Sequence, residues 1–414
     1  MLKRMAAALA AMMMLAAFEA PAQVQTRERA LMQDAGEYAR LYGVPQSEAL
    51  RRLHAQADSI PMTDSIAERY RDRLAGISIQ HRPDYRIIVY LTGSDPVPER
   101  RIRAGGMTVP ITFRTGAKAS RERVVWAITY HQAEIRAALP SPPSMGLDPR
   151  TGELVVIAGN AAAAQQGGAA ALDAKLSALA GVPVQVRVMD QTDRNLELHG
   201  GSRVDGIDPA NGRRYRCTTG YAVTDGMRSG ITTAAHCLDD MTYYAPDRST
   251  TPLSFVGQWG WGYHDVQIFA GAPPERPLIY SDTARTVERP VEAQISRPST
   301  RAGDFVCHRG ESSGYSCAEV ELVDFAPAGD LCGGACLPTW VAVKGPTCKG
   351  GDSGGPVFSG TSAYGVVKGA SYRKDGSCAF YFYMSLDYLP AGWRLITQPP
   401  LVPSHPNLSQ AWQR

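Results

Sequence analysis

The segment Gly350-Gly351-Asp352-Ser353-Gly354-Gly355-Pro356 sets one serine among four glycines. An exposed nucleophile on a tight turn needs such a setting. Glycine adopts backbone conformations closed to other residues, and the missing side chains let a carbonyl approach the hydroxyl. Successive backbone N–H groups on the same turn can point at the oxyanion that forms when the hydroxyl attacks. The segment predicts Ser353 as a nucleophile.

Taken alone, the pattern fits two arrangements. In the elbow of an α/β-hydrolase the histidine follows the serine, and here the only later histidine is His405, in a proline-rich tail. The other order runs histidine, aspartate, serine. An upstream histidine stands in Ile231-Thr232-Thr233-Ala234-Ala235-His236-Cys237. With T-A-A-H-C and G-D-S-G-G-P in this order, the chain resembles the chymotrypsin-like serine proteases, most of all the bacterial α-lytic protease and streptogrisin group. The resemblance implies an all-β mature part of two antiparallel six-stranded barrels, preceded by an α+β pro-region. It implies a secreted serine endopeptidase, made as a zymogen, that works through an acyl-enzyme. His236 then takes the Ser353 proton and hands it to the leaving amine, and the N–H groups of Gly351 and Ser353 form the oxyanion hole. The third member is expected at Asp265, 29 positions after His236 and opening the apolar run Val266–Phe269. Asp239 and Asp240 lie too close to His236, and Asp282 has no strand after it. His264 is expected to be an exposed neighbour without a chemical role.

All eight cysteines lie between Cys217 and Cys378. In an exported chain that reads as a disulfide framework, with 105 pairings open to eight cysteines. A zinc site is the competing reading, but no C-x-x-C pair is present. The resemblance implies Cys217–Cys237, Cys307–Cys317 and Cys348–Cys378, which leaves Cys332 to pair with Cys336. No metal or organic cofactor is implied.

Export is read from the first residues. Two basic residues, the apolar run Ala6–Phe18 and Ala20-Pro21-Ala22 form the pattern of a cleaved secretory signal. That apolar run is shorter than the ~20 residues needed to span a bilayer. The balance of 43 basic against 40 acidic residues argues against a dedicated nucleic-acid binder. Apolar residues recur at helical spacing from Thr26 to about Ile60, with a break at Pro45, again over Ile66–Leu74, and over Arg121–Leu139. Strands are expected over Tyr85–Leu91, toward Ile157, and over Val184–Val188. From about Gly200, short apolar runs separated by turn residues suggest an all-β portion. The expected organisation is a signal at 1–22, a pro-region at 23–199, a first barrel at 200–298, and a second barrel with tail at 299–414. Expected partners are protein or peptide substrates and the chain's own pro-region, as folding assistant and inhibitor. The mature protein is expected to be a monomer in an extracellular or periplasmic setting.

Several residues depart from the family's pattern. Asp352 needs a cationic partner, for which His308 or Arg309 is the candidate. Thr347 stands where an acidic residue would favour Lys or Arg substrates. Lys368, Gly369 and Ala370 fall on the expected substrate-pairing strand, where the family carries serine and two glycines. Lys368 is expected either to favour acidic substrates or, by preference, to point into solvent. Two alternatives stand beside this reading: an inactive homologue used as a binding module, and a stable accessory domain in place of the pro-region.

Overall fold

The computed structural model describes residues 23–398, except residues 166, 190–191, 196–201, 247–248, 271–276, 330 and 346. The expected signal at 1–22 and the proline-rich tail at 399–414 lie outside the described residues. Among the described residues no helix is long and apolar enough to cross a membrane.

The N-terminal half opens with three helices, Arg27–Tyr42, Gln46–Asp58 and Ile60–Arg69. The first begins at Thr26, whose side chain accepts from the Arg29 N–H, and ends at Gly43 with φ +68°. Its buried positions Ala30, Asp34, Ala35 and Tyr38 follow the helical period. The third helix ends earlier than the sequence pattern indicates, because Leu74 is taken by a strand. Leu74–Gln80 pairs antiparallel with Arg86–Thr92, and Met107–Ala117 and Arg100–Ala104 complete a four-stranded sheet. The helices Arg121–Ala137 and Ala169–Ala180 cover a second set of strands, Ser144–Asp148, Glu153–Ala158 and Val184–Val188.

In the C-terminal half, six strands close into a barrel. Their order is Phe305–Gly310, Pro356–Ser359, Ser362–Tyr372, Cys378–Ser385, Trp340–Lys344 and Gly314–Ala326, with the last pairing back to the first. Val306, Val320, Val343, Val357, Val367, Tyr381 and Tyr383 fill part of its core, and each fully buried valine contributes on the order of 1.5–3 kcal/mol. The strands before this barrel form a four-stranded sheet (Arg214–Thr218, Arg203–Ile207, Thr242–Tyr244, Thr250–Pro252) and a five-stranded sheet. The five-stranded sheet runs Ser254–Trp259, Val266–Ala270, Ser229–Thr233, Ala222–Thr224, Arg394–Leu395. Val204, Cys217, Ala234, Met241, Leu253 and Phe269 pack between the two. One barrel is therefore closed by strand pairing, and among the described residues no pairing joins the two smaller sheets into another. The chain beyond Gly392 is not merely a tail, since Leu395 pairs with Val223.

The two halves share a sheet. Gly314–Ala326 also pairs with Ser144–Asp148, through Val323 with Leu147 and Ala326 with Met145. Buried charge joins them elsewhere. Arg289 donates to both carboxylate oxygens of Asp34 at 3.0 Å, and neither side chain is exposed to solvent. Arg121 and Arg297 both bond Asp324, and Arg301 reaches Ser59, Thr63 and the Gln56 carbonyl.

Candidate active site

Strand register brings the first two candidates together. Ser229–Thr233 pairs with Val266–Ala270, with Thr233 opposite Gln267. Continuing each strand outward by two or three residues reaches Asp265 on one side and His236 on the other. His236 Nδ1 lies 2.9 Å from Asp265 Oδ2 and 3.2 Å from Oδ1, and the His236 backbone N–H donates to Oδ1 at 3.2 Å. Asp265 is buried, and its own N–H points at Met384 Sδ, 3.2 Å away.

Ser353 arrives from the closed barrel. Its Oγ lies 2.8 Å from His236 Nε2. The loop carrying it is clamped from both sides. Thr218 donates its N–H to the Ser353 carbonyl at 2.7 Å and its hydroxyl to the Gly351 carbonyl at 2.9 Å. Gly354 donates to the Val367 carbonyl at 2.7 Å. Gly351 and Gly354 hold φ of +101° and +84°, a region that disfavours any side chain. A Cβ at Gly354 would also collide with the Thr218 carbonyl, the Thr233 hydroxyl and the Ala234 N–H. This is the local reason the loop needs glycine there.

Neither expected cation holds Asp352. His308 Nε2 stands 4.0 Å from it, beyond hydrogen-bond reach, and bonds Ser313 Oγ instead. Burial pushes the His308 imidazole below its usual pKa, against the opposing pull of Asp352. Arg309 is committed to Glu311 and to the carbonyls of Asp282 and Thr283. Asp352 instead accepts backbone N–H groups from Ser312, Ser313 and Lys349 at 3.2, 3.1 and 2.8 Å. Gly310 leaves room for it, because a Cβ there would strike the Asp352 carboxylate.

Lys368 departs from both of its expected positions. Its side chain is 1% exposed, and Nζ lies 3.3 Å from Asp265 Oδ2. Burial by itself would raise the Asp265 pKa, but Lys368 and then His236 outweigh it and hold the carboxyl at about 2. With a folded-state pKa below the ordinary carboxylate value, the stabilisation from this ionised aspartate is present above about pH 4 and fades as pH falls toward 2. Gly369 and Ala370 pair with Asn195 and Arg194, in a short strand Thr192–Asn195 of the same chain. Thr347 is exposed. His264 is half-buried and bonds the Tyr388 carbonyl at 2.6 Å.

Four disulfides join Cys217 to Cys237, Cys307 to Cys317, Cys332 to Cys336 and Cys348 to Cys378. The first lies beside His236 and the last lies close before Ser353. The Cys332–Cys336 loop is docked on the segment that precedes Asp265. Gly262 donates to the Cys332 carbonyl at 3.2 Å, Leu337 donates to the Gly262 carbonyl at 3.1 Å, and the Trp261 ring fills the space beside Gly333.

No family model matches the chain. Streptogrisin-C of Streptomyces griseus is 27% identical over 204 residues, covering 46% of this chain and 40% of the relative. Serine protease 1 of Streptomyces fradiae is 25% identical over 334 residues, covering 79% of this chain and 82% of the relative. The chain is a relative of the chymotrypsin-like serine proteases. It spans less than half the length of streptogrisin-C. The solved structure of Thermobifida fusca protease A covers 48% of this chain and 98% of its own at 20% identity, with a TM-score of 0.37. The fold of this chymotrypsin-like relative rests on its own strand pairing.

Proposed function

We propose that this chain is a secreted serine endopeptidase whose triad is His236, Asp265 and Ser353. The observation that carries the proposal is the hydrogen-bonded line from Asp265 through His236 to Ser353 Oγ. His236 Nε2 takes the hydroxyl proton as Oγ adds to the scissile carbonyl. The tetrahedral oxyanion is received by the N–H groups of Gly351 and Ser353. Collapse expels the amine, protonated by His236, and leaves an acyl-enzyme. Water, deprotonated by the same imidazole, then releases the acid. Asp265 holds the tautomer throughout.

The same reading extends to the whole chain. The leader at 1–22 directs export and is removed. Residues 23–199 form a pro-region, 200–298 a first protease unit of packed β-sheets, and 299–414 the closed barrel with the C-terminal segment, released as a monomer. One feature supports a zymogen. Thr192–Asn195 pairs along Gly369–Tyr372, on the strand where a peptide substrate would add as a further strand. The pro-region thus inhibits, beside its role as folding assistant.

The test is fluorophosphonate labelling and casein hydrolysis by the exported protein, beside Ser353→Ala. Labelling confined to Ser353, with hydrolysis lost in the variant, is expected. A processed protein that neither labels nor hydrolyses casein overturns the proposal and returns the chain to the class of binding modules.

A further inference from the structure

Lys368 lies against the site, and the catalytic scheme above does not use it. It sits at an irregularity in the barrel. Val367 pairs with Tyr383 and Gly369 with Phe382, so Lys368 is the extra residue of a β-bulge. A bulge turns a side chain away from the regular alternation of the strand. Here it turns Lys368 inward, over the buried Trp340 ring at 5.0 Å and onto Asp265. Among the described residues the ammonium has no other polar partner.

We propose that Lys368 is a positioning residue that acts through Asp265, extending the line of three to four: Lys368, Asp265, His236, Ser353. This rests on the protease reading above. A buried ammonium fixes the carboxylate at Oδ2, the oxygen that also lies nearest the imidazole. It also offsets the carboxylate's charge, so the imidazolium formed during catalysis is stabilised less than by an uncompensated aspartate.

The surrounding titratable groups leave this pair isolated. Asp265 feels the charges of Lys368 and His236, and Lys368 feels that of Asp265. His264, next in the chain, is tied to the Tyr388 carbonyl. Asp352 and its neighbour His308 are engaged with backbone N–H groups and Ser313. The phenols Tyr221, Tyr381 and Tyr383, from the adjoining strands, are held above their usual pKa, mainly by burial.

The test measures the rate of fluorophosphonate labelling of Ser353 against pH for the wild-type protein and for Lys368→Met, Lys368→Ser and Lys368→Arg. Loss of the cation is expected to move the acid limb upward by about one pH unit, the usual scale for a charge at this range. Lys368→Arg is expected to keep the wild-type limb. Limbs that coincide in all four proteins overturn the proposal, as does an equal shift in Lys368→Arg, which would trace the effect to packing. Wild-type protein that never labels defeats the protease reading instead. Should the neutral variants fail to fold, carbon NMR of the Asp265 carboxyl in the Ser353→Ala chain decides. Titration below pH 3 supports the pair, and titration in the ordinary carboxylate range near 4 overturns it.

Discussion

At the scale of single residues, the site is held by backbone as much as by side chains. Ser353 owes its position to Thr218 on one sheet and Val367 on another, with Gly354 between them at a positive φ. Gly354→Ala is expected to lower kcat at least tenfold. Its new methyl group must push the loop off the Thr218 carbonyl, and the strain itself costs about 1–3 kcal/mol. Labelling kinetics beside a circular dichroism spectrum of the same preparation check it, and a variant with native kinetics would remove the steric argument. Asp352→Asn is a second case. The carboxylate accepts three backbone N–H groups, and an amide can accept fewer and weaker bonds. Charge-assisted bonds are worth about 1.5–3 kcal/mol each, so a fall in thermal midpoint is expected in the Ser353→Ala chain. An unchanged midpoint would mean that the backbone cradle carries no stability. The sequence pointed to Ser353 and His236 because each sits in a motif, and to Asp265 through its distance from His236 and the apolar run that it opens. It could not reveal what holds Asp352, since backbone donors leave no mark beyond the small residues of Gly310–Ser313. Lys368 did leave a signal, a lone charge inside the apolar strand Ala363–Ala370, but the bulge that turns it inward has no signature in one sequence.

Among the elements, helices were easier to foresee than hairpins. The period of Ala30, Ala35 and Tyr38 marks one buried helix face, and Pro45 separates two helices. The pattern over Ile66–Leu74 reads as helical because its apolar spacing suits either structure, and pairing of Leu74 with Leu91 takes its end into a sheet. The hairpin Arg100–Ala117 was invisible for a related reason. Its strands carry arginines on an exposed face, which dilutes the alternation. The Cys332–Cys336 loop shows how one element braces another. It bonds Gly262 and supports Trp261, three and four residues before Asp265. Replacing both cysteines by serine is expected to cost about 2 kcal/mol, the loop-closure value for so short a ring. Turnover is expected to fall with stability, because the Asp265 segment loosens. Urea midpoints and casein hydrolysis of the double variant test both parts. Lost stability with undiminished turnover would separate the brace from the site.

Across the whole molecule, the halves are joined by an unusual amount of buried charge. Asp34 accepts from Arg289, the Gly360 N–H and the Tyr315 hydroxyl, all within 3.0 Å. Breaking such a pair costs about 3–5 kcal/mol, because the remaining charge stays buried without a partner. Asp34→Asn is accordingly expected to lower the urea midpoint of the intact Ser353→Ala chain, and an unmoved midpoint would show that the contact forms without holding the halves together. A polar, geometrically exacting join suits a segment that must fit during folding and later leave, since its charged groups can be solvated once the halves part. In the proposed zymogen, departure requires a cut, and the strand pairing bounds its expected place. The short strand Thr192–Asn195, paired along the substrate-pairing strand, ends at Asn195 opposite Gly369, and the four-stranded sheet begins at Arg203. A peptide bond that is to reach Ser353 must follow Asn195, and one that is to leave the sheet intact must precede Arg203. N-terminal sequencing of the active species is therefore expected to give a first residue between Leu196 and Arg203. In the Ser353→Ala chain, expressed alone, the same bond is expected to stay whole. A mature N-terminus inside the helices Arg121–Ala137 or Ala169–Ala180 would place the boundary within the N-terminal half and assign the cut to an outside protease.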